Sequence, residues 1–477
     1  MEFKPIWEKY DKKQLKDLET LCEGYRNFIS DCKTERECVD EIVNLAELAG
    51  YQELGKLIGG RRKLKAGDKV YSVWMNKSVC MFQIGKKGFS EGMNILGAHI
   101  DSPRMDIKSN PLYESDGFAL LDTHYYGGIK KYQWVTLPLA IHGVVVKKDG
   151  TTVELNIGED ADDPVFFVSD LLIHLAQEQM EKKAAKVIEG EALDLIVGSE
   201  PIRVTKEKDE KGKKKKDAKE TAKDAIKKGV LDILKKQYDL EEEDFLSAEL
   251  EVVPAGRARE AGFDRSMILG YGQDDRVCAY TSLKAMIDSP VTDRTVCCIL
   301  VDKEEIGSVG ATGMQSKFFE NAVAEAMNLT GEYSELALRR CLAASCMLSS
   351  DVSAAVDPGY ESCFEKKNAS FLGGGMVFNK FTGSRGKSGS NDANAEYIAH
   401  IRSVFDKEDI RYQFAELGRV DLGGGGTIAY ILALYGMNVI DSGVAVLNMH
   451  APWEATSKAD IYETYLGYKA FVKGVSL

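Results

Sequence analysis

His99 and Asp101, Asp274 and Asp275, Glu304 and Glu305, Asp351, and His450 share one feature: each stands just past a short apolar run. The runs are NILGA, ILGYG, VCCILV, SCMLSS and AVLNM, all with the length and texture of strands. In an open α/β sheet the site lies outside the carboxyl ends of the strands. Five segments thus deliver His, Asp or Glu to one edge, where solvated turns would as readily end in Asn, Ser or Lys. Two imidazoles and several carboxylates, without a thiolate, favour zinc, with manganese or cobalt as alternatives. One zinc needs three protein ligands and an open position. A larger donor set, with one carboxylate free to bridge, suits two metals about 3.5–4 Å apart.

The pairs within the set carry their own chemistry. His99 and Asp101 are two residues apart, on one face of a strand, so the carboxylate can fix the imidazole's tautomer and orientation. Glu304 and Glu305 are adjacent, and in a regular strand only one would face the interior. At a strand exit that alternation stops. One glutamate can then bind metal while its neighbour accepts the proton of an attacking water. Each acid taken singly could instead be a turn or a cap, and Asp274 is a candidate helix N-cap. The remaining histidines, His124, His142 and His400, read as structural or surface residues, and His174 reads as a helix residue.

These residues need a frame. Residues 6–58 read as helices, with Leu15, Leu18, Leu21 and Cys22, then Ile42, Leu45 and Leu48, at helical spacing. VYSVWM, SVCMFQIG and MNILGAHI follow as strands. Between about 105 and 260 the texture becomes that of antiparallel hairpins, with Asp149-Gly150 as a turn signal. FVSDLLIHLAQEQMEKKAAKVI reads as a helix within that block. Beyond 262 strands alternate with helices: SMILGYG, a helix bearing Val277, Tyr280, Leu283 and Ile287, then TVCCILV, AASCMLSS and GVAVLNM. The pattern predicts one α/β domain with a largely parallel sheet, made of both chain ends and interrupted by a β-rich insert.

Bulk properties narrow the class. The chain has 477 residues, 44% hydrophobic and 29% charged, the composition of an ordinary globular protein. A net charge of −13 disfavours nucleic acid and anionic membrane as partners. No apolar run approaches the roughly 18 residues of a membrane span. The charged, acidic start reads as neither signal nor transit peptide. Ten cysteines without a CxxC pair, two of them adjacent at 297 and 298, read as free thiols in a reducing compartment, which points to the cytoplasm. Seven lysines between 206 and 216 suit an exposed insertion.

Rival motifs fail on context. GFSEG at 88–92 is followed by a strand where a hydrolase elbow needs a helix. SRGKSGS lacks the first glycine of a phosphate loop, because Phe381 stands there. There is no H-E-x-x-H.

GAHIDSPR, YGQDDRV, DKEEIGS, SSDVSAAVDP and VLNMHAPWE correspond in order and spacing to the aspartyl aminopeptidase and vacuolar aminopeptidase I family of dinuclear-zinc exopeptidases. The chain resembles that family essentially end to end. The resemblance implies an α/β/α zinc-exopeptidase catalytic domain formed by residues 1–104 and 262–477. It implies an inserted β-rich dimerisation domain at 105–261, with a lysine-rich elaboration near 206–237. It further implies two Zn2+ per subunit and a homo-oligomer, commonly a hollow tetrahedral dodecamer. By motif, Asp274 would bridge the metals, His99 and Asp351 would complete one site, and Glu305 and His450 the other. Glu304 would be the general base and Asp101 would support His99. His174 would reach a neighbouring subunit's active site. The implied reaction is hydrolysis of the first peptide bond of a peptide with a free amino terminus.

One segment departs from the family. Aspartyl-preferring relatives keep a basic residue near the substrate side chain, in a stretch aligned with GGGMVFNKFTG. Here Phe378 or Asn379 stands at that place, with Lys380 adjacent, which leaves acidic and neutral or apolar first residues both open. The alternatives to an aminopeptidase are another amidohydrolase of the same zinc clan, such as a carboxypeptidase or N-acyl deacylase, and a non-catalytic oligomeric scaffold.

Overall fold

The strand Met93–His99 runs parallel to Thr295–Val301 on one side and to Cys346–Ser350 on the other, and His99 is level with Val301. Asn438–Gly443 continues the parallel set beside Cys346–Ser350. These four strands form the centre of a nine-stranded mixed sheet. Antiparallel neighbours flank them, Ser78–Gln83 beyond Thr295–Val301 and Met376–Asn379 beyond Asn438–Gly443. The computed structural model describes residues 4–60, 62–202 and 224–475. It divides into two compact units, Met1–Ser102 with Arg257–Leu477, and Pro103–Gly256.

The continuous apolar runs of the central strands follow from helices covering both faces. Leu96, Ala98, Cys298, Leu300 and Leu348 face one core, packed by the helices Lys12–Asp31, Glu35–Leu48, Gln273–Ile287 and Lys458–Gly474. Ile95, Cys297, Ile299 and Met347 alternate to the other, packed by Phe318–Thr330 and Glu335–Ala343. The first two helices start where sequence dictates: Asp11 with Gln14, and Thr34 with Glu37, close reciprocal capping boxes.

A second, five-stranded sheet in the same unit joins Arg259–Ala261, Met267–Gly270, Glu454–Ser457, Ala445–Leu447 and Ser353–Ala354. Two strands expected in the main sheet, SMILGYG and GVAVLNM, belong to it instead. The fourth central strand is Asn438–Gly443, whose Asp441 and Ser442 hide it from a search for apolar runs. Three or four apolar residues suffice for a strand in either sheet, so periodicity does not assign the partner.

The second unit is a six-stranded antiparallel sheet. Leu139–Val146 and Thr152–Ile157 form the hairpin expected at Asp149-Gly150, with Gly150 at φ +88°. The long helix expected from FVSDLLIHLAQEQ is absent. In its place are a single 3-10 turn, Ile173–Leu175, and the four-residue helices Gln177–Met180 and Ala184–Val187. Leu171, Leu172, Ile173, Leu175 and Met180 are all exposed. A helix of this length is marginal unless an apolar face packs, and consecutive LLI presents no single face. The lysine run at 206–216 lies outside the described residues. The end of the 206–237 stretch falls in a regular helix, Ala225–Tyr238. No helix among the described residues is long and apolar enough to cross a membrane. All ten cysteines are free, nine of them buried.

Candidate active site

Four parallel strands release their chains at one edge, and the second sheet turns two further segments back to it. His99 is the last residue of its strand and is 1% exposed. Its Nδ1 donates to Asp101, 3.1 Å from the main-chain oxygen and 3.3 Å from Oδ1. This fixes the ring and turns Nε2 inward, 3.1 Å from Asp274 Oδ1. Asp274 follows the strand Met267–Gly270 and lies, with Asp275, at non-helical φ and ψ before the regular turns of Gln273–Ile287. The N-cap position of that helix is Gly272, and the two carboxylate oxygens of Asp274 face His99 and His450 instead.

Glu304 and Glu305 occupy a 3-10 turn just past Val301, entered through Lys303 at φ +70° and closed by Gly307. Their backbone N–H groups both donate to Asp101, to Oδ1 and Oδ2 at 3.2 Å each. Asp101 therefore orients the His99 ring and the glutamate turn together. Glu304 Oε2 stands 3.9 Å from His99 Nε2. Asp351 leaves the end of Cys346–Ser350, its N–H bound to the Ser442 carbonyl. A Cβ on Gly443 would run into the Asp351 carbonyl, so glycine is required for that approach.

His450 sits at φ +66° in the loop between Ala445–Leu447 and Glu454–Ser457. Its Nε2 is 3.3 Å from Asp274 Oδ2 and 3.5 Å from Glu305 Oε1. Three donor groups result: His99 with Asp274 and Asp351, Asp274 with Glu305 and His450, and His99 with Glu304 and Glu305. A zinc with ligands at 2.0–2.1 Å in tetrahedral array spaces those ligands roughly 3.3 Å apart. The observed 3.1, 3.3 and 3.5 Å separations already have that spacing. Glu305 Oε1 is buried without a hydrogen-bond partner. The residues present therefore fit a zinc site.

Carboxylates crowd this edge, and without a cation their charges oppose one another. Burial raises the Glu304 carboxyl to about 7, helped by the charges of Asp101 and Asp274 and opposed by His99. Burial likewise pushes up Glu305, beside Asp274, and Asp351, beside Asp275. Burial acts on Asp274 too, but hydrogen bonds from His450 and His99 outweigh it and hold that carboxyl well below its usual range. Burial lowers His99, yet Asp101 and Asp274 more than reverse it and the imidazole is raised. A divalent cation relieves this crowding.

The sequence-predicted donors His99, Asp101, Asp274, Glu304, Glu305, Asp351 and His450 meet in one unit. His174 lies in the other unit, exposed on its 3-10 turn. Phe378 is fully buried, its ring 5.5 Å from those of Phe405 and Phe414, so it belongs to the core and is not a substrate contact. Asn379 is buried and donates to the Ala415 carbonyl, while Lys380 pairs with Asp392 at 3.6 Å. Sequence reading missed Glu454, 1% exposed, whose carboxylate accepts the N–H groups of both Asp274 and His450. Its signal was its place as the last residue of the VLNMHAPWE motif, four residues beyond His450.

Comparison with known proteins bears on what this site does. Residues 28–472 match the family described as aminopeptidase I zinc metalloprotease (M18). A probable M18 family aminopeptidase 1 of Clostridium acetobutylicum is 61% identical over 471 residues, covering 99% of this chain and 98% of that protein. The crystal structure of the Thermotoga maritima M18 aminopeptidase superposes with TM-score 0.91 at 42% identity, covering all of both chains. The S. cerevisiae mApe1 dodecamer shares the fold, with TM-score 0.71 at 19% identity over 94% of this chain and 95% of that one. The carboxypeptidase and deacylase alternatives name other families: the chain belongs to the M18 family of zinc metallo-aminopeptidases.

Proposed function

We infer that this aminopeptidase would hold two zinc ions per chain, with one oxygen of Asp274 available to each ligand set. The observation that carries this reading is that the two oxygens of one carboxylate face two different imidazoles, His99 at 3.1 Å and His450 at 3.3 Å. His99 and Asp351 complete one ligand set, and Glu305 and His450 the other. Zinc, when bound, polarises the scissile carbonyl and acidifies the attacking water. Glu304 takes the proton from that water and returns it to the leaving amine. Asp101 keeps His99 and the glutamate turn in register throughout. A free amino terminus on the peptide is the substrate feature expected of such a site.

The inserted unit is read as the surface that pairs chains into a homo-oligomer. Leu171, Leu172, Ile173 and Leu175 face solvent together, an apolar segment of the kind that a partner covers. His174 stands among them and is assigned to a neighbouring subunit's active site. That relatives assemble, as the mApe1 dodecamer does, supports this reading.

The test is turnover of a panel of aminoacyl-anilides by the purified protein, with N-acetylated controls, with chelator, and with zinc or cobalt restored. Cleavage confined to free amino termini and abolished by chelation is the expected result. Cleavage of the acetylated substrates would refute the free-amine requirement. In the same assay His174→Phe should lower kcat in the assembled particle, and an unchanged kcat would remove that residue from the chemistry.

A further inference from the structure

We propose that Glu454 is the positioning residue of the His450 half of the site, holding two ligand segments at a fixed separation through their backbones. Its Oε2 accepts the N–H of Asp274 at 3.1 Å, and its Oε1 accepts the N–H of His450 at 2.7 Å. Asp274 lies 180 residues away in sequence, so one carboxylate ties together segments that nothing local relates.

The clamp is itself anchored. Glu454 is 1% exposed and opens the strand Glu454–Ser457, where it pairs with Gly270 on the strand leading into Asp274. Its backbone and the start of the Asp274 segment therefore move as one ladder. The His450 segment needs such an anchor more than the His99 segment does. His99 ends a central strand and its side chain is 1% exposed, whereas the His450 side chain is 35% exposed in a loop. Both Asn448 and His450 adopt positive φ, +62° and +66°, a region that non-glycine residues seldom occupy. Such a conformation persists where surrounding bonds determine it, and the Glu454 bond to the His450 N–H is one of them. Asp274 N–H precedes the regular helical turns and has Glu454 as its acceptor. Glu454 thus does for Asp274 and His450 what Asp101 does for Glu304 and Glu305.

This inference rests on Asp274 and His450 being ligands, and the experiment separates the two claims. Metal-free protein is titrated with Co2+ and followed by visible absorption and calorimetry. Wild type should bind two Co2+; fewer than two would refute the ligand reading itself. Glu454→Gln keeps the shape but can accept only one of the two N–H groups. It should weaken the site completed by Glu305 and His450 about 10- to 100-fold, and the site that shares only Asp274 distinctly less. Two unaltered sites, or equal weakening of both, would overturn the positioning role, because a general loss of stability spares neither site. Glu454→Asp, which withdraws the carboxylate by one methylene, should weaken the same site. Hydrogen exchange on metal-free wild type needs no variant: the amides of Asp274 and His450 should be protected, and free exchange at either would contradict the clamp.

Discussion

The backbone N–H of Glu304 points at Asp101 Oδ1, 3.2 Å away, while the same carboxylate meets His99 Nδ1 at 3.3 Å. A single buried side chain thereby couples the orientation of the His99 imidazole to the position of the proposed base. Asp101→Asn can satisfy these groups only in part, since one oxygen becomes a donor. Turnover should fall about 10- to 100-fold, a loss typical of partners that orient metal ligands. Steady-state kinetics at saturating zinc would check it, and activity within twofold of wild type would show that the coupling does not matter.

Glu304→Gln removes the proton acceptor while leaving the Asp101 contact to the backbone N–H intact. Hydrolysis should drop about 10²- to 10⁴-fold. Zinc content, measured on the same sample, should not change. Loss of zinc together with activity would make Glu304 a ligand and displace the general-base role.

Asp274→Asn should differ from His450→Ala. The first withdraws charge from both imidazole-facing positions and should weaken both metals. The second should weaken one and leave the other. Metal content after dialysis against a buffered zinc series distinguishes these patterns, and identical patterns would argue against a bridge.

Two buried acids away from the ligands give a pH signature. Burial holds Asp441 up to about 7 and Asp460 up to about 8. Unfolded, both revert to about 3.9. The folded protein then keeps protons that the unfolded chain releases, so the stability they contribute is full below pH ~4 and is lost as pH rises through 7 and 8. Thermal unfolding in chelator should show a falling midpoint between pH 6 and 8.5. Asp441→Asn should flatten the fall, because it keeps the acceptor that Thr427 uses and cannot ionise. A midpoint that rises over this range would contradict the assignment.

Phe378→Ala should act on stability alone. The ring is buried among Phe405, Tyr412 and Phe414, and its removal should cost about 3–5 kcal/mol in chemical denaturation. The ranking of Asp-, Glu- and Leu-anilides should not move. A changed ranking would return Phe378 to the substrate pocket.

Why so much of the site could be read from sequence has a physical basis. Candidate site residues carried by strand ends, such as His99, Asp351 and the Glu304–Glu305 pair, follow apolar runs that are long because both faces of the sheet are covered. Their convergence is then a property of parallel strands. Glu454 was not legible, because its partners are two backbone N–H groups and a backbone carries no sequence signature. Asn438–Gly443 was hidden by polar residues that the interior accommodates through bonds such as Thr427 to Asp441. Phe378 or Asn379 was as far as sequence could go, because an alignment reports which residues correspond, while only packing reports which way a ring points. The apolar LLIHL segment looked helical because periodicity assumes that something lies on the other side, and among the described residues nothing covers it.

The two-metal site bridged by Asp274 is tested most directly by titrating metal-free protein with zinc while following turnover of Leu-anilide. Activity should rise until two equivalents per chain are bound and then level off. A plateau at one equivalent, with no further gain, would contradict a dinuclear mechanism and leave Asp274 bound to a single ion.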